Sequence, residues 1–207
     1  MLAAKYIAVE GVIGVGKTTL TKKLAEHYQG ETIFEPVTEN PFLANFYEDR
    51  AKYAFQTQLY FCLNRYRQQV EARQPGLFQR VQVCDYLFAK DRLFAHLNLE
   101  GAELELYDQV YSLLDPKMIR PDLVIYLQAP IDTICRRIER RGLEFERKIE
   151  RKYLEDLGQL YLDFFATYTE APVLFVQTAE LNLVERPEDL DYILRAIETP
   201  WQGHKQI

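Results

Sequence analysis

Gly11-Val12-Ile13-Gly14-Val15-Gly16-Lys17-Thr18 combines residue types that together suit one task, the gripping of phosphate oxygens. The run fits the pattern G-x-x-x-x-G-K-[ST]. Its glycines let backbone N–H groups converge on an anion where a Cβ would obstruct the approach. Lys17 adds a mobile positive charge for the outer phosphates, and the Thr18 hydroxyl is placed to ligate Mg²⁺. Thr18-Thr19-Leu20 opens a helix whose positive end faces the same oxygens. A plain glycine turn is the alternative, but the full pattern is rare by chance in a chain of 207 residues. The loop also has a strand before it and a helix after it, the setting that nucleotide binding requires.

Other reactive residues are scattered along the chain. Glu35 precedes Pro36 at the carboxyl end of a short second strand, beside the phosphate loop of a parallel sheet. From position alone it serves equally as a chemical group or as a cap towards Asn40. Gln58 and Arg65 lie seven apart in a long helix and so share a face. Such a pair is more often simply solvated. Asp85 ends the apolar run Val81-Gln82-Val83-Cys84, a loose match to the strand-end carboxylate that anchors Mg²⁺ opposite a phosphate loop. Arg137 and Arg141, like Arg136 and Arg140, are four apart and stack on helix faces, which suits an anionic ligand or a solvated basic surface.

The elements that must position these groups follow from periodicity and breakers. Tyr6 to Val9, led by Leu2 and Ala4, reads as a buried strand. Helices are expected over Thr18 to Tyr28, Phe42 to Tyr47, about Arg50 to Arg73, Phe88 to Leu97 and Glu103 to Leu114. Pro75-Gly76 breaks the longest of them. Further strands are expected at Glu31 to Phe34, Arg80 to Cys84, Leu123 to Leu127 and Val173 to Val176. Pro130 opens the arginine-bearing helix, and Gly142 ends it. Leu143 to Arg151, a dense mix of Glu, Arg and Lys, reads as a mobile flap. Tyr153 to Tyr168 and Pro187 to Ile197 are the last helices, and the final ten residues are expected to be loose. Alternation of strand and helix gives an α/β fold: one domain over 1–207 with a five-stranded parallel sheet flanked by helices.

Composition narrows the class. The chain is 48% hydrophobic and 27% charged, as in ordinary globular proteins, and its net charge of −6 argues against nucleic-acid binding. Cys62, Cys84 and Cys135 sit apart in apolar surroundings and read as reduced thiols of a cytoplasmic protein. His27, His96 and His204 show no metal-ligand spacing. No apolar run reaches membrane-spanning length, and the N-terminus runs straight into a strand, so neither a membrane anchor nor a signal peptide is expected.

Taken together, these motifs resemble the deoxynucleoside kinases, over roughly residues 5 to 180. Glu10 to Leu20 resembles that family's phosphate loop, and Glu35-Pro36-Val37 its E-P-V segment. Tyr47, Gln58 and Arg65 recur at the family's spacing of eleven and then seven. Asp85 and Asp91 match its strand-end acid and the Asp six residues later, and Arg137, Arg141, Gly142, Glu146 and Tyr153 its lid and following helix. The resemblance implies a phosphate-loop kinase with an arginine-bearing lid at about 137–152, using ATP and Mg²⁺ to phosphorylate a deoxynucleoside. It makes Glu35 the general base, with Lys17, Arg137 and Arg141 clamping the transferring phosphoryl group. Residues 11–19, including Thr19, would bind ATP, and Thr18 and Asp85 the metal. Tyr47 and Glu146 would hold the 3′-hydroxyl, Gln58 the base edge, and Val37, Leu43 and Ile13 the apolar walls. Arg65 and Asp91 beside Gln58 imply adenine, guanine or cytosine rather than thymine. Gln56 competes with Gln58, but its spacing to Tyr47 and Arg65 is wrong.

Two departures stand out. The family places Arg directly after the strand-end acid, paired with the catalytic carboxylate; here that residue is Tyr86. A third lid arginine falls on Leu143, with Arg136, Arg140 or Arg147 as the available substitutes. The family also implies a homodimer, for which the helices at 50–73 and 88–97 offer apolar stripes. Two rivals share the loop. A nucleoside monophosphate kinase needs cations for its acceptor's phosphate, and a GTPase-like switch needs a guanine-reading N/T-K-x-D, which is missing.

Overall fold

The computed structural model describes residues 4–72 and 80–207. Arg73 and Pro75-Gly76 therefore lie outside the described residues, as does Leu2. Six parallel strands form one sheet in the order β2-β3-β1-β4-β5-β6. They are β1 (Tyr6–Gly11), β2 (Glu31–Ile33), β3 (Gln82–Cys84), β4 (Leu123–Gln128), β5 (Val173–Gln177) and β6 (His204–Gln206). The helices are α1 (Lys17–His27), α2 (Leu43–Glu48), α3 (Arg50–Ala72), α4 (Lys90–Asn98) and α5 (Gly101–Leu114). They continue with α6 (Ile131–Arg141), α7 (Arg151–Thr167) and α8 (Pro187–Glu198).

The sheet has six strands rather than the expected five, because part of the C-terminal segment is ordered. β6 pairs with β5 through Val173↔His204 and its two successors. Trp201 donates its indole N–H to the Ala196 carbonyl at 3.1 Å, and Ile207 packs on the core. His-Lys-Gln carries no apolar pattern, since an edge strand needs only backbone pairing.

Helices cover both faces, so the central strands are buried on both sides. Ile7 and Val9 of β1 pack with Leu20, Leu24, Ile193 and Ile197 from α1 and α8. Ala8, one residue out of phase, packs with Leu157, Tyr161 and Phe165 of α7 on the other face. α2, α3, α4 and α5 build a third cluster beside the sheet around Phe46, Cys62, Phe88 and Tyr107. This arrangement sets the carboxyl ends of β1, β2 and β3 side by side. The glycine loop, Glu35 and Asp85 follow those three ends in turn.

Burial makes the two innermost thiols inert, pushing Cys62 up to about 11 and Cys84 up to about 12. Among the described residues no helix is long and apolar enough to cross a membrane.

Candidate active site

The loop after β1 depends on glycine where the chain leaves ordinary backbone space. Gly11 has φ +145°, and a Cβ there would sit 2.5 Å from the Leu127 carbonyl oxygen. Gly14 has φ +83°, and its Cβ would meet Ile138 of α6 at 2.5 Å. Residues 13–19 line a cavity of about 870 Å³, whereas Gly11 and Val12 lie behind it, with the Val12 side chain in the core. Lys17 donates to the carbonyls of Gly11 at 2.7 Å and Val12 at 3.3 Å, which fixes its ammonium at the loop. Burial, reinforced by the nearby Lys90 charge, lowers its pKa to about 8. An anion at the loop offsets that penalty.

Asp85 ties the loop to Glu35. One carboxylate oxygen accepts the Thr18 hydroxyl proton at 2.9 Å, and the other accepts the Glu35 backbone N–H at 2.8 Å. Burial raises the Asp85 pKa, against the opposing pull of Lys90 and Thr18. A hydroxyl and a carboxylate side by side at a phosphate loop are the hard oxygen donors that Mg²⁺ takes together with substrate phosphates. Among the described residues there is no cluster of three or more His, Cys, Asp or Glu able to hold a metal alone. The pair therefore fits a metal that is completed by phosphate oxygens.

Glu35 is gripped from two sides. Arg65 pairs with its Oε1, and Lys90 donates to its Oε2 at 2.9 Å. The same guanidinium also pairs with Asp91, so Arg65 forks between the two carboxylates. Far from being solvated, Gln58, Arg65, Lys90 and Asp91 are all buried. Asp91 stands apart from Gln58 in one respect: it is fully buried and does not line the cavity, whose polar wall here is Arg65.

Sequence reasoning missed two charged members of this cluster. Lys90 is the first residue of α4, and burial lowers its pKa to about 8. Glu10, fully buried at the end of β1, accepts from the Leu87 N–H at 2.8 Å and the Tyr161 hydroxyl at 2.7 Å. It also stands 3.8 Å from Lys90. The available signal was a Lys opening a buried helix, where a cation opposes the helix dipole.

Val37, Leu43, Phe46 and Tyr47 form an apolar wall on the far side of Glu35. Tyr47 stacks on Phe145 with ring centroids 6.2 Å apart. Gln58 faces the same space, and among the described residues nothing pairs with its amide. The predicted flap contains a short 3₁₀ turn, Glu144–Lys148, that is pinned down. Its Glu146 is buried and accepts the Arg141 Nε–H at 2.9 Å; Lys148 pairs with Glu48, and Arg50 with Glu150. Arg137 does not point at Glu35. It donates to the Val15 carbonyl at 2.9 Å and to the Thr178 hydroxyl and carbonyl at 3.0 and 2.6 Å, strapping the loop to the segment after β5.

One cavity thus joins a phosphate-gripping loop, a carboxylate at the neck and an apolar slot ending in an amide. Such a cavity can hold a polyphosphate and an uncharged acceptor end to end, with a base between them.

Comparison with known proteins shows the family and the fold. The family model described as "Deoxynucleoside kinase" matches residues 7–200. The chain is 38% identical to a Bacillus subtilis deoxyguanosine kinase, covering 87% of this chain and 88% of that one. It is 32% identical to a Dictyostelium discoideum deoxyadenosine kinase, over 94% of this chain and 80% of the other. The solved structure of M. mycoides deoxyadenosine kinase with bound dATP superposes with a TM-score of 0.80 at 26% identity, covering 94% of this chain and 100% of that one.

Proposed function

This chain belongs to the deoxynucleoside kinase family, whose members transfer phosphate to an alcohol, and on that premise we propose its reaction: transfer of the ATP γ-phosphoryl group to the 5′-hydroxyl of deoxyadenosine, deoxyguanosine or deoxycytidine. The observation that carries this reading is Glu35, bonded through its backbone to the phosphate-loop pair and facing the apolar slot with its carboxylate. The nucleoside lies in that slot with its base edge on Gln58, its sugar against Tyr47 and Glu146, and Val37 and Leu43 along its ring. ATP lies along residues 13–19, with adenine near Gln177 to Glu180.

As the 5′-oxygen forms its bond to the γ-phosphorus, Glu35 takes its proton, and the bond to the bridging oxygen breaks to release ADP. Lys17 and Arg141 neutralise the transferring group, Arg141 exchanging Glu146 for phosphate once Glu146 takes the 3′-hydroxyl. Arg137 adds its charge beside the loop. Thr18 and Asp85 would hold Mg²⁺, which would supply charge neutralisation on the polyphosphate. The remaining work is positioning.

The base preference has its own test. Arg65→Met with Asp91→Ala should lower overall turnover, because Arg65 also holds Glu35, yet raise the ratio of thymidine to deoxyguanosine kcat/KM by about tenfold, the scale of a relieved pocket contact. A ratio unchanged across the four nucleosides rules out this view of the base site. The 38% identity to a deoxyguanosine kinase makes deoxyguanosine the first acceptor to assay.

A monophosphate acceptor is disfavoured because the cations beside the slot, Arg65 and Lys90, are already committed to the carboxylates of Glu35 and Asp91. We further propose a cytoplasmic homodimer, formed through α3 and α5. Leu63 and Val70 on α3, and Leu106 and Leu113 on α5, are exposed, each pair seven apart and so on one helix face. The large apolar residues of α4, also expected to contribute, are half-buried against the neighbouring clusters. Leu106→Glu with Leu113→Glu should convert a dimer to a monomer in sedimentation analysis; a sedimentation coefficient identical to wild type excludes this face.

A further inference from the structure

Resting on that reading of the site, we infer that Lys90 is the positioning residue that holds the Glu35 carboxylate in its proton-accepting orientation, a duty that Tyr86 cannot perform. The placement of Lys90 runs against local preference in two ways. A long, flexible ammonium is 3% exposed, and it opens α4, where the helix dipole repels a cation. Such a conflict persists only if partners elsewhere compensate. Here they are Glu35 Oε2 at 2.9 Å and Glu10 at 3.8 Å from the ammonium. Glu10 is itself fixed by Leu87 and Tyr161, so Lys90 connects a rigid carboxylate to the reactive one.

Tyr86 is engaged elsewhere. Its hydroxyl donates to Gln68 at 2.9 Å rather than to Glu35. Its ring instead forms a floor under both cations, with the Lys90 Nζ 5.7 Å and the Arg65 guanidinium 5.6 Å from the ring centre. Arg65 holds one oxygen of Glu35 and Lys90 the other, so both carboxylate oxygens have a cationic partner. Removing Lys90 leaves Oε2 free to rotate away from the incoming hydroxyl, and a misplacement of about 1 Å costs roughly a hundredfold in rate.

The decisive comparison is kcat for deoxynucleoside phosphorylation in wild type, Lys90→Met, Lys90→Arg and the double variant Lys90→Met with Tyr86→Arg. Lys90→Met should lower kcat by roughly a hundredfold. KM for ATP should stay within about threefold, because the phosphate loop is untouched. Lys90→Arg should recover at least about a tenth of the wild-type rate, since it restores a cation at the same place. Tyr86→Arg, which supplies a cation from the end of β3, should raise kcat of the Lys90→Met protein about tenfold or more. A purely structural Lys90 predicts instead a loss of fold or ATP affinity that neither cation repairs. Lys90→Met retaining kcat within about threefold overturns the inference while leaving the kinase reading intact. Absence of transfer by the wild-type protein overturns both.

Discussion

Glu35→Gln is expected to reduce kcat for phosphoryl transfer by about 10²–10⁴-fold, the range over which a positioned general base acts. The amide is nearly isosteric and leaves the backbone N–H bond to Asp85 in place, so ATP binding should change little. Arg65 and Lys90 both lose a charged partner, which should lower stability by a few kcal/mol at most, because Asp91 and Glu10 still face them. Turnover with a saturating deoxynucleoside, compared with the affinity for a fluorescent ATP analogue, separates the two effects. A variant that turns over at near wild-type rate removes Glu35 from the chemistry.

Lys17→Ala is the second large effect. Its ammonium is held at the loop by the Gly11 and Val12 carbonyls, buried at some electrostatic cost with a pKa near 8. A group kept charged against its surroundings at a phosphate-binding loop is placed for an anion, and the anion returns that cost. Removing a preorganised charge of this kind should lower kcat/KM for ATP by about 10²–10³-fold. The fold should survive, since the glycine geometry is intact. Calorimetric melting with and without ATP checks both points: wild type should be stabilised by the nucleotide, and the variant much less. Equal stabilisation of the two proteins contradicts the placement of phosphate at this loop.

Local pattern in the sequence was enough to mark the phosphate loop, whereas Glu35, Asp85 and the Gln58–Arg65 face stayed open on position alone and were singled out only by the family resemblance. What escaped was set by contacts between distant segments. Lys90 meets Glu35 across 55 positions, and nothing in the residues around Lys90 announces that partner. Glu146 sits in a stretch so rich in charge that it reads as a flap, yet Arg141 and the Tyr47–Phe145 stack hold it inside. Asp91 carries the spacing expected of a base contact, but Arg65 takes its carboxylate and becomes the polar wall itself. β6 was invisible for the opposite reason. Three polar residues at a sheet edge need only their backbone, so the side chains give no signal.

The departures from the resembling family also acquire a physical account. Tyr86 brings an aromatic floor and a hydrogen bond to Gln68 where an arginine is usual, and a positive charge stands at the start of α4 on Lys90. Leu143 stands where a third lid arginine would, while Arg136 and Arg140 line the same cavity.

The most direct test of the account is the fate of the γ-phosphate. With γ-labelled ATP, Mg²⁺ and each of the four deoxynucleosides, the label should appear as the 5′-monophosphate of deoxyguanosine, deoxyadenosine or deoxycytidine in equal amount to ADP, with thymidine the poorest acceptor. Label passing only to nucleoside monophosphates, or released as inorganic phosphate whatever the acceptor, would contradict the assignment of Glu35 and the slot beside it to a nucleoside hydroxyl.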